Sequence, residues 1–254
     1  MKRLALAAFD FGGSIDVWIN NAGVLAAGPF TETPVEVHDR TIETNLMRYV
    51  HGAYAILPYF QRQKYGVLIN NISVGGWFPT PYAAAYTASK YGLRGFSAAL
   101  RGELIKWPHI HVCDLYPAFL DTPGIQHAAN YTGKVLRPAP PVYDPYRVAK
   151  TMVSLAQYPR KQTTTDIASP FLRFTNAMLP GLTRRITVAL MQTYFKKADP
   201  IASTTGNLFA PVNYGTSVYG GWKEQLSRQA AVPGALIIAG LAAGLLLLVN
   251  RRSS

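Results

Sequence analysis

The sequence predicts an α/β fold built on a parallel sheet with helices on both faces. Short apolar runs alternate with longer helical patterns along the first 156 residues, and no internal repeat interrupts them. Strands that alternate with helices of this length are typical of βαβ units, whose consecutive strands run parallel. The predicted strands are residues 15–20, 66–72 and 109–116, and the predicted helices are residues 35–63, 83–107 and 144–156.

Prolines and glycines mark where these elements begin and end. Pro34 and Pro145 stand at the first turns of two predicted helices, where a missing N–H group does no harm. Pro108 stops the helix that precedes it, and Pro117 ends the strand that follows. The three apolar runs are therefore expected to be separate buried strands.

Charge and cysteine content restrict the classes of partner. The net charge is +12, and residues 134–199 hold eleven lysines and arginines against three aspartates. The single cysteine, Cys113, excludes an internal disulfide framework. No recognised nucleic-acid-binding module accompanies the basic region, so we expect no nucleic acid partner and favour an anionic membrane surface.

The C-terminal sequence predicts a membrane anchor. Residues 230–249 contain no charge, and twenty helical residues span a bilayer core of about 30 Å. Residues 1–8 resemble the start of a signal peptide, but their apolar part is too short and no cleavage site follows. The predicted organisation is a domain at 1–200, a linker at 201–229, the transmembrane helix at 230–249 and a basic tail at 250–254.

This organisation predicts a membrane location with one C-terminal span and the domain on the cytoplasmic side. Gly240 and Gly244 have the spacing that lets two such helices approach closely, which hints at a homo-oligomer. Residues 171–197 mix apolar residues with paired basic ones and are broken at Pro180. They are either helices packed on the flank of the domain or a basic amphipathic surface lying on the bilayer.

A serine, a tyrosine and a lysine stand at spacings that can assemble an acid/base site. Ser73 follows the strand at 66–72, and Tyr86 and Lys90 lie four residues apart in the next helix. Residues four apart share a helix face, so a phenol and an ammonium can face one substrate. A lone Tyr-x-x-x-Lys pair is weak evidence, since about 0.6 such pairs arise by chance in this composition.

Further residues strengthen the pattern considerably. Asn20-Asn21-Ala22-Gly23 follows the first strand, Asn45 lies in the next helix, and Pro117 to Thr122 follow the third strand. In this order and spacing, the chain resembles the short-chain dehydrogenase/reductase family over residues 9–156. The resemblance implies a Rossmann-like, doubly wound parallel sheet and NAD(P)-dependent oxidoreduction of a small carbonyl or alcohol substrate.

The resemblance also implies a role for each matching residue. Tyr86 would be the general acid/base, Ser73 would hydrogen-bond the carbonyl oxygen, and Asn45 would hold a water that links Lys90 to solvent. Lys90 would lower the pKa of the Tyr86 phenol, because a positive charge at about 4 Å is worth on the order of 4 kcal/mol to the phenolate. The cofactor-binding residues would be Asn20, Gly23, Tyr86, Lys90, Pro117 and Thr122.

Several of these residues have other readings. Ser73 could be a strand-end cap, Asn45 a helix-packing amide and Thr122 a helix N-cap. Ala118 departs from the family, which usually has glycine after the proline. The alternating His109, His111 and Cys113 could be mistaken for metal ligands, but inside a parallel sheet we expect core residues and no metal.

The resemblance has a gap at its start. The family's first strand leads into a glycine-rich turn, Thr-Gly-x-x-x-Gly-x-Gly, where a dinucleotide pyrophosphate approaches a helix N-terminus. No such turn precedes Asp16. The sequence therefore predicts a sheet that is incomplete at the N-terminus, an exposed edge at the strand of Asn20 and doubtful binding of NADP or NAD.

Two functions remain open at this point. The first is a membrane-anchored NAD(P)-dependent oxidoreductase acting on an apolar, lipophilic substrate. The alternative is a catalytically inactive, truncated relative that acts as a membrane protein by interaction.

Overall fold

The computed structural model describes residues 1–224. Its main sheet has four parallel strands in the order β1-β3-β4-β6, and β2 and β5 form a separate parallel pair. The strands are β1 (Val17–Asn20), β2 (Ala26–Ala27), β3 (Gly66–Asn71), β4 (Ile110–Tyr116), β5 (Ala129–Asn130) and β6 (Gln162–Thr164). The helices are α1 (Lys2–Gly12), α2 (Val35–Ile42), α3 (Arg48–Gln63), α4 (Ala84–Glu103), α5 (Pro145–Gln157), α6 (Ala168–Met178) and α7 (Pro180–Lys197).

The sheet is covered on both faces, which confirms the predicted α/β class. Side chains alternate along a strand, so Leu68 and Val112 face one layer while Ile69 and Leu115 face the other. The first layer is a core shared with α1, α3 and α4. The second is shared with α5. Cys113 lies in this second core, where burial raises the pKa of its thiol to about 11.

The three predicted strands and three predicted helices are all present, with ends shifted by a few residues. The helix predicted at 35–63 is divided, because a π-helical turn at Glu43–Met47 lies between α2 and α3. Strand β6 has only three polar residues, so no apolar run announces it. The N-terminal helix α1 was not among the predicted elements.

Strand β1 lies at one edge of the sheet, as predicted. It pairs with β3 alone among the described strands, and Ile19 is 44% exposed. The polar residues that follow β1, β3 and β4 all lie at the carboxyl ends of parallel strands, which is where α/β sheets usually bind ligands.

The C-terminal part of the described chain packs on this domain. Leu208 is buried against Ala26, Val37 and Ala129. In residues 1–224 there is no helix with both the length and the apolar composition needed to cross a membrane. The predicted span at 230–249 and the basic tail lie outside the described residues.

Candidate active site

Ser73 stands where β3 gives way to a tight turn. Its backbone has φ 111°, a left-handed value that costs a non-glycine residue on the order of 1–3 kcal/mol. The turn that follows is a short 3-10 helix at Val74–Gly76, and its Gly75 N–H donates to Ser73 Oγ at 3.2 Å. Because the Oγ atom already accepts this bond, its own O–H remains available to donate.

Tyr86 lies in the first turn of α4 and faces Ser73. A methyl group built on Gly75 would come within 2.9 Å of Tyr86 Cε1 and 3.6 Å of Ser73 Oγ, so both side chains border the same small space. Burial raises the pKa of the Tyr86 phenol above its usual value and outweighs the hydrogen bond from Ser73, which lowers it. The phenol is therefore held in its protonated form.

Lys90 lies one helical turn after Tyr86 and is almost completely buried, at 4% exposure. Its Nζ atom is 5.6 Å from the ring centroid of Tyr86 and 5.6 Å from that of Tyr49. No hydrogen bond or ion pair joins Nζ to any part of the described chain, and burial lowers the pKa of the ammonium to about 7. The expected lowering of the Tyr86 pKa by Lys90 stays a prediction, and in the described structure burial is the largest influence on that pKa.

Tyr49 is a site residue that the sequence analysis missed. Its hydroxyl donates to Asn71 O at 3.0 Å, and its ring forms the second aromatic wall beside Lys90. Burial, together with the nearby Tyr86, raises the pKa of Tyr49 far above its usual value. Tyr49 lies four residues after Asn45, and this shared helix face was the available signal.

Asn45 lies close to Lys90, since a methyl group built on Gly23 would be 3.4 Å from Asn45 Oδ1 and 3.7 Å from Lys90 Nζ. It is fully buried in the π-helical turn, where its Oδ1 accepts from Val24 N–H at 2.8 Å and its Nδ2 donates to Val24 O at 2.9 Å. The side-chain amide thus clamps the loop after β1. The role predicted for Asn45, holding a water that links Lys90 to solvent, stays a prediction.

Asn20 and Gly23, predicted on the cofactor side, are separated by the structure. Asn20 is buried beneath the site, where its Nδ2 donates to Asn70 Oδ1 at 2.9 Å and its Oδ1 accepts from Trp18 Nε1 at 3.0 Å. Gly23 is exposed, and a methyl group there would lie 3.7 Å from Lys90 Nζ. Gly23 therefore borders the site, whereas the side chain of Asn20 supports the sheet.

Pro117 and Thr122 follow β4 at the same edge. Pro117 O accepts from Val74 N–H at 2.8 Å, which joins this segment to the turn after Ser73. Thr122 begins a 3-10 turn at Pro123–Ile125 but makes no side-chain cap. Trp222 donates from Nε1 to Thr122 O at 2.9 Å and from its main-chain N–H to Asp121 Oδ1 at 2.8 Å. Part of the predicted linker thus supports the Thr122 segment.

The nicotinamide end of a dinucleotide fits this arrangement. An ammonium buried without a hydrogen-bond partner is costly unless a ligand accepts from it, and ribose hydroxyls are such acceptors. Asn71 Oδ1 is also buried without a partner in the described chain, next to the loop after β1. The residues that fit the nicotinamide end of the cofactor are Lys90, Tyr86 and their immediate neighbours.

Comparison with known proteins gives a family for this chain that agrees with the geometry of the site. A family profile described as short chain dehydrogenase matches residues 1–131. An uncharacterized oxidoreductase of Bacillus subtilis, YxnA, is 30% identical over 196 residues, which is 75% of this chain and 54% of the relative.

Two relatives with named activities cover less of the chain. A 3-ketodihydrosphingosine reductase of Bacteroides thetaiotaomicron is 36% identical over 110 residues, which is 43% of this chain and 40% of that protein. A D-beta-hydroxybutyrate dehydrogenase of Rhizobium meliloti is 31% identical over 123 residues, 48% of this chain and 47% of that protein. The chain spans about half the length of these curated relatives. With more than half of its residues matched by the family profile, the chain belongs to the short chain dehydrogenase family of oxidoreductases.

Proposed function

We propose that the protein is an NAD(P)-dependent oxidoreductase that interconverts a carbonyl and an alcohol. One observation carries the proposal, the buried Lys90 ammonium that faces Tyr86 and Ser73 with no partner of its own. A structural lysine would be expected to pair with a carboxylate. An unpaired lysine beside a phenol and a serine is suited to hydride-transfer chemistry. Its hydrogen bonds can hold a cofactor, and its charge can stabilise a phenolate.

The roles of the side chains follow from their chemistry. The nicotinamide, when bound, supplies or accepts the hydride. Tyr86 Oη donates its proton to the carbonyl oxygen, and the raised pKa keeps that proton on the phenol at neutral pH. Ser73 Oγ accepts from Gly75 N–H, which fixes its position, and its own O–H would donate a hydrogen bond to the same oxygen.

Lys90 serves the same reaction in two ways. Its Nζ would donate hydrogen bonds to the nicotinamide ribose hydroxyls. These bonds would replace those that the ammonium makes with water when it is exposed. Its positive charge would then stabilise the phenolate that remains on Tyr86 after proton transfer. A water held by Asn45 would link Lys90 to solvent and return the proton, and Gly23, Pro117 and Thr122 would border the nicotinamide.

We further propose a lipophilic substrate and a membrane location. The uncharged stretch at 230–249 supports a single C-terminal anchor, and Gly240 and Gly244 support a homo-oligomer. We place the domain on the cytoplasmic side as part of the proposal, since basic residues flank the stretch at both ends and do not fix its orientation. One relative is named for the reduction of a long-chain ketone, 3-ketodihydrosphingosine, which supports an apolar carbonyl substrate.

A second candidate is a non-catalytic protein that acts by interaction. The exposed edge of β1 favours it, because an unpaired edge strand can pair with another chain. Fluorescence titration with NADPH and NADH separates the two candidates. The oxidoreductase should bind at least one of them, and Lys90→Met should weaken that binding by more than tenfold, while the exposed Lys150→Met should not change it. If neither nucleotide binds, the interaction protein is favoured.

A further inference from the structure

Helices α6 and α7 form a hairpin that carries its hydroxyl groups on the inside. Ser169 and Thr175 in α6 are fully buried, and Thr183 and Thr187 in α7 are buried as well. These hydroxyls are satisfied within the protein, since Thr183 Oγ1 donates to Thr175 O at 3.3 Å and Thr187 Oγ1 donates to Thr183 O at 2.8 Å. A helix that faces water usually has the opposite arrangement, with apolar residues buried and polar ones outside.

The outer face of α6 is correspondingly apolar. Phe174 is 54% exposed and Met178 is 62% exposed, and they lie one helical turn apart. Ile167, Pro170 and Ala177 extend the same exposed stripe at helical spacing. One edge of the stripe, at Pro170, Phe174 and Ala177, borders a groove beside Trp77 and β6, and the rest faces solvent in the described structure.

Basic residues accompany the apolar stripe and outnumber the acidic ones, which are Asp166 before α6 and Asp199 after α7. α7 begins two residues after α6 ends, and its first turns present Arg184 and Arg185 to the outside. Neither arginine forms an ion pair with residues 1–224. Neither helix contains an aspartate or glutamate, and α7 ends in Lys196 and Lys197.

We propose that this hairpin docks on an anionic bilayer surface, with Phe174 and Met178 entering the headgroup layer and Arg184 and Arg185 binding lipid phosphates. An apolar helix face flanked by arginines is the composition of an interfacial membrane helix. Charge complementarity selects the anionic lipid, because each basic residue near such a surface adds to its affinity. The inference rests on the proposed membrane location and does not depend on hydride transfer.

Docking of this hairpin would bring the active site close to the lipid. Asn176 Nδ2 donates to Trp77 O at 2.9 Å, and the Arg173 guanidinium lies 4.5 Å from the Trp77 ring centroid. Phe195 of α7 contacts Tyr82 edge-on at 5.2 Å. Trp77 and Tyr82 belong to the loop that joins Ser73 to Tyr86. A lipophilic substrate could therefore pass from the bilayer to this loop without crossing bulk water.

The test uses the full chain held in lipid nanodiscs. Phe174→Cys and Met178→Cys are each labelled with an environment-sensitive fluorophore, and the buried Cys113 is shielded from the reagent. Ile105→Cys is the matched control, because Ile105 is 80% exposed and lies on the connection between α4 and β4. Quenching by spin-labelled lipid is measured in discs of phosphatidylcholine with and without phosphatidylglycerol.

We expect the labels at 174 and 178 to be quenched about twofold or more above the label at 105, and only in the anionic discs. Arg184→Gln and Arg185→Gln should each lower the ratio of docked to undocked hairpins by roughly fivefold. Quenching equal to that at 105, or equal in neutral and anionic discs, overturns the proposal. Cross-linking of two chains through 178 without quenching overturns it too, in favour of a second copy.

Failure of docking and failure of the proposed reaction give different results. Tyr86→Phe should leave the quenching at 174 unchanged, because that label reports position and not turnover. If the chain stays with the discs but the label at 174 is unquenched, the anchor stands and the docking proposal fails. If the label is quenched in a chain that binds neither nucleotide, docking stands and the oxidoreductase proposal fails.

Discussion

Gly75 and Tyr86 approach so closely that a single methyl group on Gly75 would fall 2.9 Å from Tyr86 Cε1. Real Cβ atoms do not come so near a ring carbon, so either the ring or the turn after Ser73 would have to move. Gly75 also supplies the N–H that fixes Ser73 Oγ. The orientation of both proposed catalytic side chains therefore depends on the absence of a side chain at residue 75.

Replacing this glycine should impair the reaction more than the fold. We expect Gly75→Ala to lower kcat by about a hundredfold, since a misplacement on the order of 1 Å has an effect of that size. Gly95→Ala is the control, because no atom lies within 4 Å of a methyl group there and the residue is inside α4. It should stabilise the helix by about 1 kcal/mol and leave kcat unchanged. Steady-state kinetics with thermal unfolding would test both, and equal kcat in the two variants would contradict the geometry.

The buried ammonium of Lys90 should give stability a characteristic pH dependence. Burial lowers the pKa of Lys90 from 10.5 to about 7 in the folded protein. Between these values the unfolded chain holds a proton that the folded protein has released, so stability should rise with pH across the window from about 7 to 10.5. Below pH 7 the folded state bears the full cost of a buried charge.

Removing the ammonium should therefore stabilise the protein while it damages the site. Lys90→Met should raise the free energy of unfolding at pH 7 by a few kcal/mol, since each pKa unit is worth about 1.4 kcal/mol. The rise of stability between pH 7 and 10.5 should become shallower, whereas the exposed Lys150→Met should retain it. Urea unfolding at several pH values measures this, and an unchanged slope in Lys90→Met would refute a buried, unpaired ammonium.

Asn45 and Asn176 offer a matched comparison of two amides. Asn45 uses both polar atoms on Val24, whereas Asn176 donates to Trp77 O and leaves its Oδ1 without a partner in the described chain. Asn45→Ala leaves the partly buried N–H and C=O of Val24 unsatisfied and should cost about 1–3 kcal/mol of stability. Asn176→Ala also removes an unsatisfied oxygen and should cost about 1 kcal/mol or less. Equal losses in urea unfolding would contradict the clamp.

The order of elements and the main site residues could be predicted from the sequence because both leave strong local signals. The apolar runs at β3 and β4 are short and bounded by glycine or proline, which favours buried strands, and the carboxyl ends of parallel strands lie at one edge. Ser73, Tyr86 and Lys90 then meet because one follows β3 and the others lie one turn apart on α4. This reasoning needs no knowledge of long-range contacts.

Features that depend on long-range contacts could not be predicted. The polar strand β6 exists because β4 offers it a partner, and its own residues carry no strand signal. The pKa of Tyr86 depends on how deeply the site is buried, and that depth is not encoded in the spacing of Tyr86 and Lys90. The contact of Trp222 with Thr122 joins residues a hundred positions apart, within a segment whose composition indicated only a loop.

Tyr86→Phe, which removes only the phenol oxygen, tests most directly the claim that Tyr86 transfers the proton. Turnover of NADPH or NADH with an apolar ketone should be measurable for the protein, and Tyr86→Phe should reduce it by at least about a thousandfold, since the proton donor is lost. Nucleotide binding and thermal stability should stay close to those of the unchanged protein, because the phenol oxygen's hydrogen bond is with the Ser73 hydroxyl, which still accepts from Gly75 N–H after the change. Residual turnover within tenfold of the unchanged protein, with binding intact, would contradict a site in which Tyr86 transfers the proton.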